Sequence, residues 1–202
     1  MGMHVNGVLE ATCLSSKTIS DWVKFIQKLL GDSVDFDDTM IGGKYIVIEI
    51  DEMNLGKRKY DRGHRVDGVW VVAGIQRIPE NRCFAVEVDN RDSPTMCRIL
   101  SEFVRPGSII HTDMWNTYKN PCIELGFDHK IIDHPVTFKD PVTSVHTDTI
   151  EGLNNGLKYQ IKARNRTKKD NCNHLLYIFW KRINKKKKWP SFLEAFKNTE
   201  YI

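Results

Sequence analysis

Long apolar runs are missing from this sequence. The longest, such as Val69 to Ile75, fall far short of the roughly 20 residues that a membrane-spanning helix needs, so no membrane partner is expected. The first residues, MGMHVNGVLE, lack a basic stretch followed by an apolar core, which argues against a secretory signal. Asn6 stands where an N-myristoylation signal beginning at Gly2 prefers Ser or Thr. Cysteine is sparse. Cys13, Cys83, Cys97, Cys122 and Cys172 are dispersed and form no C-x-x-C pair, which argues against a disulfide framework or a zinc ribbon and predicts reduced thiols. No internal repeat is present, and no low-complexity segment beyond the lysine run Lys185 to Lys188. These absences predict an intracellular globular protein.

With 202 residues, of which 41% are hydrophobic and 28% charged, the chain can bury one good-sized core with a small appendage. The net charge of +4 is modest but unevenly spread. Twelve Lys and Arg residues lie between Lys158 and Lys188 against the single acid Asp170. Residues 32 to 52 have the opposite bias: Asp32, Asp35, Asp37, Asp38, Glu49, Asp51 and Glu52 against Lys44 alone. A basic end suits a polyanion, and an acidic patch suits either a metal or a solvated loop.

Residues 15 to 30 have a helical period that puts Ile19, Trp22, Val23, Ile26, Leu29 and Leu30 on one face, with Ser15 or Ser16 as cap. Gly42-Gly43 opens a strand from Lys44 to Ile50, apolar apart from Glu49. Strands at Val69 to Gln76 and Cys83 to Val88 follow, and the three read as an antiparallel meander. The pattern then alternates: a helix from Ser93-Pro94 to Val104, a strand Ser108 to His111, a helix Trp115 to Leu125 and a strand His129 to Ile132. Helices at Thr149 to about Lys162, Asn173 to about Ile183 and Ser191 to Phe196 complete the chain. The expected fold is α/β, a mixed sheet flanked by helices.

Three carboxylates stand out within this order. Asp51 ends the first strand, Asp113 ends the fourth, and Glu151 falls in the first turn of a late helix. If the first and fourth strands are neighbours, the two aspartates emerge side by side, and a helix packed on that face adds Glu151. Hard oxygen ligands of this kind suit Mg²⁺ or Mn²⁺. Two such ions activate an attacking oxygen and stabilise a leaving one. Acids at strand ends are also common as solvated rim residues, so spacing alone leaves both readings open.

The local sequences around these acids carry a resemblance. IEIDEMNLGKRKYDRGHR (48–65), GVWVVAGIQR (68–77), RPGSIIHTDMWNTY (105–118), VTFKDPVTSVHTDTIEGLNNGLK (136–158) and HLLYIFWKRIN (174–184) resemble, in this order, the catalytic domain of DDE-type insertion-sequence transposases, with the eukaryotic Merlin-type elements as close relatives. The likeness covers roughly residues 40 to 184. It implies an RNase H-like fold over residues 39–202 behind a helical segment at 1–38, part of a helix-turn-helix. It also implies two-metal cleavage of transposon-end DNA and strand transfer, with Mg²⁺ as cofactor and Mn²⁺ as substitute. Asp51 and Asp113 match the family's metal-binding aspartates, Glu151 its third acid, and Lys158 its following lysine. Lys158 lies about two helical turns beyond Glu151, with Asn154 and Asn155 between them, so one helix stripe offers a metal ligand, amides and a phosphate contact. The sequence departs from the family in two places: Asn154 stands where tryptophan is usual, and the N-terminal cysteine-rich zinc ribbon of many relatives is missing.

The implied partner is double-stranded DNA, both transposon ends and target, bound by a homodimer or larger assembly. Lys57, Arg58, Lys59, Arg62 and Arg65, just after the first aspartate, suit phosphate contacts, as do Asn155, Lys158 and Lys162. The Lys185 to Lys188 run suits DNA, nuclear import in a eukaryotic host, or plain solvation. His111, His129 and His134 do not fit a compact metal motif, and His146 belongs to the H-T-x-T-I-E signature without a ligand role. Two rival functions stay open: a stand-alone nuclease with the same site, and a catalytically silent, host-adopted DNA-binding protein.

Overall fold

The computed structural model describes residues 5–34, 39–55, 68–113, 116–132, 147–161 and 168–199. The chain forms two compact units, one of Asp35–Cys172 and one of Met1–Val34 with Asn173–Ile202.

The larger unit is built on a five-stranded mixed sheet. Its strands are β2 (Val47–Leu55), β3 (Val69–Gln76), β4 (Cys83–Val88), β6 (Ile109–Asp113) and β7 (Asp128–Ile132), in the order β4-β3-β2-β6-β7. The β2–β3–β4 meander is antiparallel, whereas β6 runs parallel to β2 and β7 parallel to β6. Strand β3 lies inside the sheet and is buried along nearly its whole length, as its unbroken VWVVAGI run demands. Helix α3 (Ser93–Phe103) lies between β4 and β6 in the chain. It starts where the Asp92 side chain accepts from the Thr95 amide and proline occupies the first turn. Its Met96, Ile99 and Leu100 join Ile48, Ile50, Val72, Phe84, Ile110 and Tyr118 in the main core. Helix α4 (Lys119–Glu124) follows a 3₁₀ turn at Asn116–Tyr118, and α5 (Asp148–Gln160) packs on β2 and β3. A mixed sheet flanked by helices is the expected fold class, and it is consistent with an RNase H-like domain.

The strand limits differ from the sequence reading. The first long strand begins at Val47, not Lys44, because Tyr45 adopts a left-handed φ of 64° and the Ile46 amide turns back to the Gly43 carbonyl at 2.9 Å. It also runs on to Leu55, so Asp51 lies within the strand, paired opposite Ala73 of β3. A further short parallel pair, β1 (Ile41–Gly42) with β5 (Val104–Arg105), has too few residues to leave a sequence signal.

The smaller unit is helical: α1 (Val5–Thr12), α2 (Ser16–Asp32), α6 (Lys168–Ile183) from Asn173 onward, and α7 (Lys188–Lys197). Ser15 caps α2 by accepting from the Thr18 amide at 3.1 Å. Leu29, Leu30, Val34, Trp180 and Ala195 form the core, with Ile26, Tyr177 and Phe192 against it. Trp22 and Val23, expected on the buried face, are 56% and 42% exposed. The α2 packing face is narrower than its apolar stripe, and Trp22 meets the Phe25 ring edge-on instead. Among the described residues no helix is long and apolar enough to cross a membrane.

Candidate active site

The register of two parallel strands sets the level of the two aspartates. The last paired residues of β2 and β6 are Glu49 and His111. Asp51 and Asp113 each lie two residues further along, so both stand at the same height. The two-residue period of a strand turns each to the same face as its paired predecessor. On that face the Glu49 carboxylate accepts from the Ile150 amide of α5 at 2.9 Å. Asp51, Asp113, Thr147 and Glu151 line one pocket of about 190 Å³. Three carboxylates from three elements therefore face a common space.

The charge of Asp113 is felt at Asp51. Burial pushes the Asp51 carboxyl above the ordinary range, and the nearby charge of Asp113 adds to the rise. The Glu52 amide, the Asn154 side chain and the Lys158 charge act in the opposite direction. Glu52, next along the strand, is more strongly perturbed: burial pushes it up to about 8, partly offset by the Tyr118 hydroxyl, which donates to it. A cation beside these carboxyls would oppose both effects by favouring the charged form.

Two ties fasten α5 to β2 on either side of Glu151. On the N-terminal side, fully buried Glu49 accepts from the Ile150 amide with Oε2 and pairs through Oε1 with the Arg77 guanidinium. The early amides of a helix have no partners within it, so a carboxylate at this point satisfies a donor and favours the helix dipole. On the C-terminal side, Asn154 Nδ2 donates to Asp51 Oδ2 at 2.8 Å. The opposite oxygen, Asp51 Oδ1, accepts from the Glu52 amide at 2.8 Å. From the sequence, Glu49, Glu52, Tyr118 and Thr147 have no part in the site, and Asn154 is expected on a DNA-facing stripe, not against Asp51. Two of them carry a usable signal. Glu49 is a lone acid in an otherwise apolar strand, and Asn154 is a polar residue in register with Ile150, Leu153 and Leu157 on the buried side of α5.

The stripe expected along α5 divides in two. Glu151, Asn155 and Lys158 are exposed, whereas Asn154 is 4% exposed and turned inward. Lys158 acts on Asp51 through its charge. His111 is buried, and His129 Nε2 lies 2.8 Å from the Thr112 hydroxyl. Lys57, Arg58, Lys59, Arg62, Arg65, His134, His146 and Lys162 lie outside the described residues.

Comparison with known families settles what kind of domain carries this pocket. The ISXO2-like transposase domain family matches residues 28–178, well over half of the chain. The chain belongs to that family. No curated protein matches it. DNA transposition and DNA binding are thus its general function, and a polynucleotidyl-transferase type of enzyme is what the family suggests.

The donor chemistry of this transposase domain suits a hard divalent cation, since every acid lining the pocket offers oxygen and two of them repel each other. Among the described residues, no group of three His, Cys, Asp or Glu side chains is gathered tightly enough to hold a metal ion by itself. Each of these acids can supply carboxylate oxygen to an ion that completes its shell with water and substrate phosphate. A structural zinc cage does not fit this donor set.

Proposed function

We propose that this transposase domain cleaves DNA at transposon ends and joins the freed strand to target DNA at the pocket of Asp51, Asp113 and Glu151. The single observation that carries this reading is that these three acids, on β2, β6 and α5, line one pocket. Mg²⁺, or Mn²⁺ in its place, held by these carboxylates would supply the positive charge that neutralises a phosphodiester and lowers the pKa of an attacking water. In cleavage, water attacks the phosphorus at the element end and the 3′-oxygen leaves and takes up a proton. In joining, that 3′-hydroxyl attacks a target phosphodiester, loses its proton and displaces the target's own 3′-oxygen. One phosphodiester is exchanged for another, so no high-energy cofactor is needed.

The chain's own residues bind and orient. Lys158, exposed on α5 near Asp51, contacts a phosphate of the bound strand, and Asn155 beside it donates to the backbone. The basic segment Lys57, Arg58, Lys59, Arg62 and Arg65, together with Lys162, neutralises phosphates further along the duplex. Two copies or more act on DNA, one for each end. The RNase H-like fold and the division into a helical segment at 1–38 and a catalytic domain at 39–202 belong to the same reading.

The test is cleavage of labelled element-end DNA in Mg²⁺ or Mn²⁺, wild type beside Asp113→Ala. Metal-dependent nicking that the substitution abolishes is the expected result. Cleavage that survives Asp113→Ala refutes the assignment of the pocket. DNA binding without cleavage by either protein points instead to a silent DNA-binding descendant.

A further inference from the structure

We propose that Asn154 is a positioning residue for the proposed reaction: its amide fixes the Asp51 carboxylate so that the remaining lone pairs are presented to the pocket. The inference rests on the reading of Asp51 as a cation-binding acid and assigns a part to a residue outside the acidic set.

Three observations support it. Asn154 Nδ2 stands 2.8 Å from Asp51 Oδ2, and the other oxygen, Oδ1, is held by the Glu52 amide at 2.8 Å. Both oxygens are thus anchored, and the carboxylate plane cannot turn without breaking one bond. Each carboxylate oxygen has a second lone pair, and Asp51 lines the pocket, which is where those pairs are available.

The second observation is what Asn154 gives up. It is 4% exposed, and its Oδ1 is buried with no hydrogen-bond partner among the described residues. An unmade buried hydrogen bond is a standing cost, so an amide placed here for packing alone is worse than leucine. The donor end is the part of the side chain that does something useful. The amide's orientation follows from the same contact, because turning it over would set two acceptor oxygens against each other.

The third is charge. An amide carries none, so Asn154 orients Asp51 without neutralising it, whereas a lysine or arginine at the same place would compete with an incoming cation. The same hydrogen bond also ties α5, and with it Glu151, to the strand that carries Asp51.

The experiment titrates Mn²⁺ into the full-length chain without DNA by calorimetry, for wild type, Asn154→Leu and Asp51→Asn. Releasing one side chain that must then be ordered at binding is expected to weaken Mn²⁺ affinity about three- to tenfold in Asn154→Leu. The Mn²⁺ concentration giving half-maximal cleavage should rise by the same factor, with the KM for DNA unchanged. Metal-free hydrogen exchange of peptides covering residues 147–158 should barely change, because the missing hydrogen bond and the relieved Oδ1 offset each other. Should the leucine variant fail to fold, Asn154→Ala, which adds no bulk, serves for the same titration. Mn²⁺ affinity within twofold of wild type in the Asn154 variant, with binding abolished in Asp51→Asn, overturns this inference and leaves the pocket intact. Wild-type affinity in Asp51→Asn overturns both.

Discussion

Removing the Glu49 carboxylate should detach the beginning of α5 from the sheet, and the structure gives the size of the effect. Glu49 has a fully buried side chain, pairs with Arg77 and accepts from the Ile150 amide. Breaking a buried ion pair from one side costs about 3–5 kcal/mol, most of it from stranding the partner. The Arg77 side chain is 20% exposed and can turn towards water, which moves the expectation to the lower end. The Ile150 amide loses its acceptor as well, a penalty on the order of 1–3 kcal/mol that overlaps with the first and does not simply add. Glu49→Ala should therefore destabilise the sheet unit by about 3–4 kcal/mol. Glu49→Gln keeps an oxygen for Ile150 and loses only the charge, and should cost about 1–2 kcal/mol. Because the chain forms two units, a single unfolding midpoint does not isolate the effect. Hydrogen exchange of peptides covering residues 147–153 does, combined with urea unfolding. Faster exchange there in Glu49→Ala, partly recovered in Glu49→Gln, is the expected pattern. Destabilisation below about 1 kcal/mol with unchanged exchange would refute the idea that this tie positions Glu151.

Three further outcomes follow from the same geometry. Glu151→Gln preserves shape but not charge; it should remove most cleavage while leaving DNA affinity intact, and cost at most about 0.3–1 kcal/mol from the helix dipole, so equal cleavage rates would take Glu151 out of the site. Replacing Lys57, Arg58 and Lys59 by Ala should flatten the dependence of log affinity on log salt by about 0.9 for each phosphate no longer neutralised and weaken all DNA sequences alike, and an unchanged slope would mark the segment as ordinary solvated surface. Burial lowers the His129 pKa, so the unfolded chain takes up a proton that the folded one resists; the associated stability is present above the unfolded value of about 6.5 and disappears as pH falls below it. Melting temperatures should therefore drop less in His129→Gln than in wild type between about pH 7.5 and about pH 5.5, and parallel drops would refute it.

The order and kind of the longer elements were legible in the amino-acid pattern alone, whereas α1, β1 and β5 were not. Short apolar runs bounded by turns marked the meander β2–β3–β4 because such patterns are local, and the acids Asp51, Asp113 and Glu151 stood out by their place in the order of elements. The run VWVVAGI was legible as a strand, and the sheet order made it an inner one. The level of Asp51 and Asp113 was not legible, because it depends on pairing β2 with β6 across more than fifty intervening residues. Nor was the inward turn of Asn154. On a helical wheel it shares a stripe with Glu151, Asn155 and Lys158, and only the packing of α5 on β2 and β3 decides which edge of that stripe is buried. The same packing made Glu49, by sequence an awkward charge in an apolar strand, the acceptor for a helix amide 101 residues later in the chain. Local patterns follow from the residues themselves. Partners across the sheet are chosen by tertiary burial, where a charge or an amide is tolerated only if the fold brings it a counterpart.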